Sequence, residues 1–227
     1  SGLVFNAWGD RPIEGPYGVW FDGDWSKPRL DDPAIQKGLS DYAGLMQAGP
    51  SDILSYNWNE AGNAFCNGQA AFFADASLFG PWLESDDCPM SKDNTGYMAL
   101  PPQKKGGTSY TANWQWGIGM GANAQEKDAG WYFIQYMTNK SSEPKIGTYH
   151  GGAGRLSTWE NDEYTSTLNA DYVSATLESM KTVRTSVVPV KDFNKYALEV
   201  MDVILRIHAG ESSEAATAEG NENFKNM

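Results

Sequence analysis

Two tryptophans flank a glutamine in the stretch Tyr110-Thr-Ala-Asn-Trp-Gln-Trp-Gly-Ile-Gly-Met120. An indole offers rigid apolar area and one N–H donor, and it loses little rotamer entropy on binding. Alternation along a strand puts Trp114 and Trp116 on one face. The pair therefore predicts a strand that opens with flat rings, suited to stacking on the C–H faces of sugars and polyols. Asp75 follows the apolar run Ala70-Ala-Phe-Phe-Ala74. It stands at the carboxyl end of an expected buried strand, where ligands of open α/β sheets sit. A carboxylate there accepts hydrogen bonds from hydroxyls, and it serves equally well as a cap for the next helix. Arg155 follows the glycine-rich run His150-Gly-Gly-Ala-Gly154. Its guanidinium fork suits adjacent hydroxyls, or a salt bridge at the surface or between lobes.

Other chemistries find less support. The glycine run lacks the GK[ST] ending of a phosphate loop and the G-x-G-x-x-G spacing of a dinucleotide fold. No GxSxG and no HExxH occurs. Glu160, Asp162 and Glu163 are close enough in sequence for a glycosidase to use two of them, but they read as the solvated front of a helix. The two histidines, His150 and His208, are far apart, and His208 lies on a helix stripe. With no CxxC and no Cys/His cluster, no metal site is expected. No cofactor and no catalysis are expected either. Cys66 and Cys88 form one disulfide, as in an extracytoplasmic protein, or remain two buried thiols.

Composition narrows the partners. The chain has 227 residues, with 29 acidic against 17 basic side chains and a formal net charge of −12, which disfavours nucleic acid and anionic membranes. A 41% apolar content argues for a globular core, and no apolar run approaches a membrane span. The chain begins at Ser-Gly-Leu-Val-Phe without Met or a signal peptide, which reads like the middle of a longer protein.

The elements that must position these residues alternate strand and helix, as in an α/β protein. Residues 1–31 read as loops and short strands. Asp31-Asp-Pro-Ala starts a helix that ends before Gly49-Pro50. Further helices are expected near 59–66, 77–84, 123–138, 162–166, 172–180, 193–209 and 212–224. In the helix at 193–209 the expected stripe is Ala197, Val200/Met201, Ile204 and Leu205/His208. Strands are expected at 70–74, 96–100 and 116–120.

The order of these segments resembles the bacterial extracellular solute-binding proteins of family 1, the receptors of sugar ABC transporters. Phe65-Cys-Asn-Gly-Gln-Ala-Ala-Phe-Phe-Ala-Asp75 resembles their F-x-x-G-x-A-A-M step, and Gly96-Tyr-Met-Ala-Leu-Pro-Pro102 their next strand. Asn113-Trp-Gln-Trp-Gly-Ile-Gly-Met120 is similar to their W-x-W-x-hydrophobic strand, and Asp128-Ala-Gly-Trp-Tyr-Phe-Ile-Gln-Tyr-Met-Thr138 to the helix after it. Gly151-Gly-Ala-Gly-Arg-Leu-Ser157 looks like their G-x-P-x-R-x-S loop, with Ala153 where Pro is common. The likeness runs from about residue 20 to the end and is nearest to the polyol and oligosaccharide branches. It departs at Leu78, where the family usually carries an aromatic residue; Trp82 lies beyond that position.

The resemblance implies a type II periplasmic-binding-protein-like α/β fold of two lobes, here a C-terminal portion lacking much of the first lobe. Residues 1–107 and 158–227 would belong to the second lobe, and 108–157 would cross into the first. Asp75, Asn113, Trp114, Trp116 and Arg155 fall on cleft positions, where a neutral sugar or polyol would bind. The implied partners are that small molecule and the membrane permease subunits of an ABC importer. The implied location is periplasmic, or lipid-anchored at the cell surface. An uncovered sheet edge of the first lobe would invite self-association. The rival readings are a carbohydrate-active hydrolase, or the same fold binding a peptide or polyamine.

Overall fold

The computed structural model describes residues 1–13, 15–150 and 152–227; Gly151, in the glycine-rich loop, lies outside the described residues. The first helices are α1 (Gly2–Trp8), α2 (Pro33–Gln47), α3 (Trp58–Cys66) and α4 (Gly80–Leu83), followed by β1 (Thr111–Asn113). Then come α5 (Lys127–Thr138), α6 (Glu143–His150), α7 (Leu156–Trp159), α8 (Asp162–Thr165) and α9 (Ala170–Met180). The chain closes with β2 (Val183–Thr185), α10 (Phe193–His208) and α11 (Ser213–Lys225).

Two compact units result. The first comprises Ser1–Ser55, Ala99–Trp114 and Ser179–Met227, the second Tyr56–Met98 and Gln115–Glu178. The breaks expected at 107/108 and 157/158 fall inside these units. A compact unit is defined by its own core, and lobe membership is a further step.

In the first unit, α2 begins where the residues dictate. Asp32 caps it by accepting from Ala34 N–H at 2.9 Å, and Pro33 occupies the first turn. Residues 1–31 depart from the expected loops and short strands, because α1 forms there. Its Val4, Phe5 and Trp8 are buried, giving the one-sided apolar face that the Gly/Pro-rich composition concealed. The helix α1 packs against α2 at Gly38, where a Cβ would stand 2.5 Å from Val4 Cα. The core continues through Val19, Phe21, Leu30, Ile35 and Leu39 to Val203 of α10 and Phe224 of α11. Burying each such side chain stabilises the fold by roughly 1.5–3 kcal/mol. The α10 stripe is rotated from expectation: Val203 is buried while Met201 and Leu205 are 57% and 43% exposed. Phe193, Tyr196, Val200, Ile204 and Ile207 complete the covered face.

The strands β1 and β2 pair in parallel, with Thr111, Ala112 and Asn113 opposite Val183, Arg184 and Thr185. The three strands expected from sequence are absent. Residues 70–74, 96–100 and 116–120 carry no ladder, and Phe72 is 90% exposed rather than buried. A strand exists by hydrogen bonding to a neighbour, and among the described residues none pairs with these segments.

The second unit is centred on a buried disulfide. Cys66, at the end of α3, is bonded to Cys88, and Phe79 and Leu83 pack with them. A second aromatic group joins Trp159, Tyr164 and Tyr172, all buried. Gly80 lets α4 approach closely, since a Cβ there would lie 2.3 Å from the Tyr172 ring. Tyr97 donates to Glu84 Oε1 at 2.7 Å; burial first, then that hydrogen bond, holds its phenol well above the usual range. The helices α6 and α7 were not foreseen, while α3, α5, α8, α9 and α11 fall close to their expected spans.

Candidate functional site

The residues that sequence reading singled out are divided between the units. Asn113 and Trp114 belong to the first; Asp75, Trp116 and Arg155 belong to the second.

Asn113 is the last residue of β1. Its carbonyl accepts from the Ser186 hydroxyl at 2.9 Å and from Ser186 N–H at 3.4 Å. These bonds, with the register to Thr185, hold the chain just before Trp114. The indoles therefore follow the strand instead of opening it. Trp114 stands at the carboxyl end of a parallel strand, the place where α/β sheets bind ligands. Trp114 is 59% and Trp116 78% exposed, so neither ring serves as core.

Asp75 is exposed and follows an unpaired segment, not a strand. Its Oδ1 accepts from the Trp58 indole N–H at 2.7 Å and from Ala76 N–H at 2.6 Å. The cap position of the 3-10 turn Ser77–Phe79 falls to Ala76 and not to Asp75. Trp58 opens α3, whose capping box is formed by Asn57 and Glu60.

Arg155 is anchored within its own unit. Its Nη2 donates to Thr138 O at 2.7 Å, and its Nε lies 3.5 Å from Glu143 Oε2. Glu143 also accepts from Gly154 N–H at 2.9 Å and from the Thr158 hydroxyl at 2.8 Å. One carboxylate thus organises the loop and the start of α7. Gln115, between the two indoles, reaches the same loop: a Cβ on Gly154 would stand 3.0 Å from its Nε2.

Glu160, Asp162 and Glu163 are exposed at the end of α7 and in the first turn of α8, where Asn161 caps by accepting from Glu163 N–H at 3.0 Å. Among the described residues no group of three or more His, Cys, Asp or Glu side chains is placed to hold a metal ion. Among the described residues no helix is long and apolar enough to cross a membrane.

Sequence reasoning passed over Trp58 and Glu143. A signal for Trp58 existed: Asn57 followed three residues later by Glu60 is a capping box, which places Trp58 at the first helical position. Glu143 had no such signal, because its partners come from residues 154–158 across a turn in the chain.

The pattern that defines bacterial extracellular solute-binding proteins matches residues 2–144. A mannitol-binding protein of Pseudomonas aeruginosa is 28% identical over 190 residues, 80% of this chain and 40% of that protein. Among solved structures, a ribitol-bound ABC transporter solute-binding protein from Agrobacterium radiobacter superposes with a TM-score of 0.77 at 20% identity, over 99% of this chain and 55% of that one. A tagatose-bound solute-binding protein from Thermotoga lettingae gives a TM-score of 0.73 at 18% identity, over 99% of this chain and 54% of that one. The chain thus spans about half the length of these relatives, and its fold is that of the corresponding part of a periplasmic-type solute-binding protein.

Proposed function

Because this chain belongs to the bacterial extracellular solute-binding proteins, we propose that it is part of an extracytoplasmic receptor for a neutral sugar or polyol. The receptor acts by reversible binding and passes its ligand to the permease subunits of an ABC importer. The observation that carries this reading is the pair of exposed indoles at and beyond the end of β1. In the full-length protein Trp114 and Trp116 stack on the ligand's C–H face, and Asp75, Asn113 and Arg155 hydrogen-bond its hydroxyls. Such polar groups reject an analogue that lacks the matching hydroxyl, since they are then left unpaired. The relatives with a named ligand support the ligand class: mannitol, ribitol and tagatose are all polyhydroxylated and uncharged.

A ligand-dependent shift in unfolding temperature tests this, because binding to the native state stabilises it by mass action. Full-length protein is screened against mannitol, ribitol, tagatose, maltose, amino acids and polyamines. A shift with one of the first four is expected, and a shift with polyamines alone would overturn the reading. A ligand recovered intact after prolonged incubation separates a receptor from a hydrolase. The lobe assignment of 1–107, 108–157 and 158–227 belongs to the same proposal. A ligand-bound structure of the full-length protein decides between those breaks and lobes that follow the compact units.

A further inference from the structure

We propose that Trp58 is a positioning residue for the ligand-binding carboxylate of Asp75, a role that rests on the receptor reading above. An exposed carboxylate is ordinarily free to rotate about its side-chain bonds, and a ligand must then immobilise it at an entropic cost. Asp75 is held before any ligand arrives. Two donors meet its Oδ1, the Trp58 indole at 2.7 Å and the Ala76 backbone at 2.6 Å. Both are directed at one oxygen, so Oδ2 remains to accept from a hydroxyl.

Trp58 is itself immobilised from three sides. The Asn57 side chain accepts its backbone N–H at 2.7 Å, and Asn57 N–H donates to Glu60 at 2.9 Å. Its ring meets buried Phe79 edge-on, centroids 4.8 Å apart at 71°. The far end of α3 is tied to Cys88 by the disulfide. Trp58 nevertheless stays 41% exposed, so a donor of fixed direction reaches the surface beside Asp75. A preorganised carboxylate of this kind takes one hydroxyl donor in a defined direction. The site therefore discriminates against an analogue deoxygenated at that single position more than a freely rotating carboxylate does.

The test is a double-mutant cycle in full-length protein, with mannitol affinity read by calorimetry. Trp58→Phe keeps the ring and removes the donor, and it is expected to weaken binding about tenfold. In the Asp75→Asn background the same change is expected to cost less than about twofold, because the group it positions has lost its charge. Trp58→His, which retains a ring N–H, is expected to recover part of the loss. The Trp58 indole N–H resonance is expected to move on adding mannitol and to lose its downfield position in Asp75→Asn. This spectroscopic readout stands even where Trp58→Phe fails to fold. Wild-type affinity in Trp58→Phe, or an equal cost in both backgrounds, overturns this inference and leaves the receptor reading intact. A wild-type protein that binds no sugar or polyol overturns both.

Discussion

Single residues carry two kinds of consequence in this chain. Trp114 and Trp116 are large apolar rings left in solvent, which the hydrophobic effect penalises unless something else retains them. With a ligand stacked on it, Trp114 is expected to behave as a binding anchor. Trp114→Ala in the full-length protein should lower affinity for the cognate sugar or polyol by about 1–3 kcal/mol by calorimetry, with little change in the ligand-free unfolding midpoint. Asp32 shows the other kind, a structural charge. The Arg11 guanidinium donates to both its oxygens, at 2.8 and 2.7 Å, and chiefly through that hydrogen bond its carboxyl is held below the usual range. A depressed carboxylate contributes stability that is fully present above its unfolded pKa, about 3.9, and lost as pH falls through the folded value. The pair is partly exposed, so the contribution is at most about 1 kcal/mol. The stability gap between wild type and Asp32→Asn is thus expected to be present at pH 7 and to close towards pH 3. Denaturant unfolding at the two pH values measures it.

At the scale of elements, α3 shows how local and distant forces combine. The capping box starts the helix, and its last residue is fastened to Cys88, 22 residues further on. A crosslink of this span restricts the unfolded chain, and its loss is expected to cost about 2–4 kcal/mol. Cys66→Ser with Cys88→Ser should therefore lower the unfolding midpoint markedly. It should also loosen Trp58, whose helix the crosslink steadies. An unchanged midpoint in the double variant would show the crosslink to be without consequence for the fold. The strand β1 illustrates the opposite case. Three residues of parallel pairing are a weak element on their own, and their hold on Asn113 is reinforced by Ser186.

For the molecule as a whole, the most telling feature is what remains uncovered. Helix α5 has no buried residue, and its Trp131, Tyr132, Phe133 and Tyr136 are 56%, 72%, 53% and 58% exposed. Apolar surface of this extent drives association. Residues 1–227 produced alone are expected to self-associate in sedimentation experiments, and Tyr132→Lys with Phe133→Lys should shift them toward monomer. A monomeric wild-type species at all concentrations would count against this. The ribitol- and tagatose-bound relatives span about twice the length of this chain.

What could be read without coordinates follows the range of the forces involved. Caps and apolar periodicity act over a few residues, so α2 was legible from Asp32-Pro33 and the span of α10 from its apolar spacing, while the phase of the α10 stripe was set by packing around Val203. The family likeness was legible because motif order is a property of the linear chain. Strands were misread at 70–74, 96–100 and 116–120, since an apolar run states only that it would pair if a neighbour lay alongside. The fate of the two cysteines was equally open in the sequence; only folding brings their Cα atoms to 5.0 Å. The anchoring of Arg155 by Glu143 and of Asp75 by Trp58 was likewise decided by tertiary structure. These contacts join residues 12 and 17 positions apart, separated by turns whose directions no local propensity encodes.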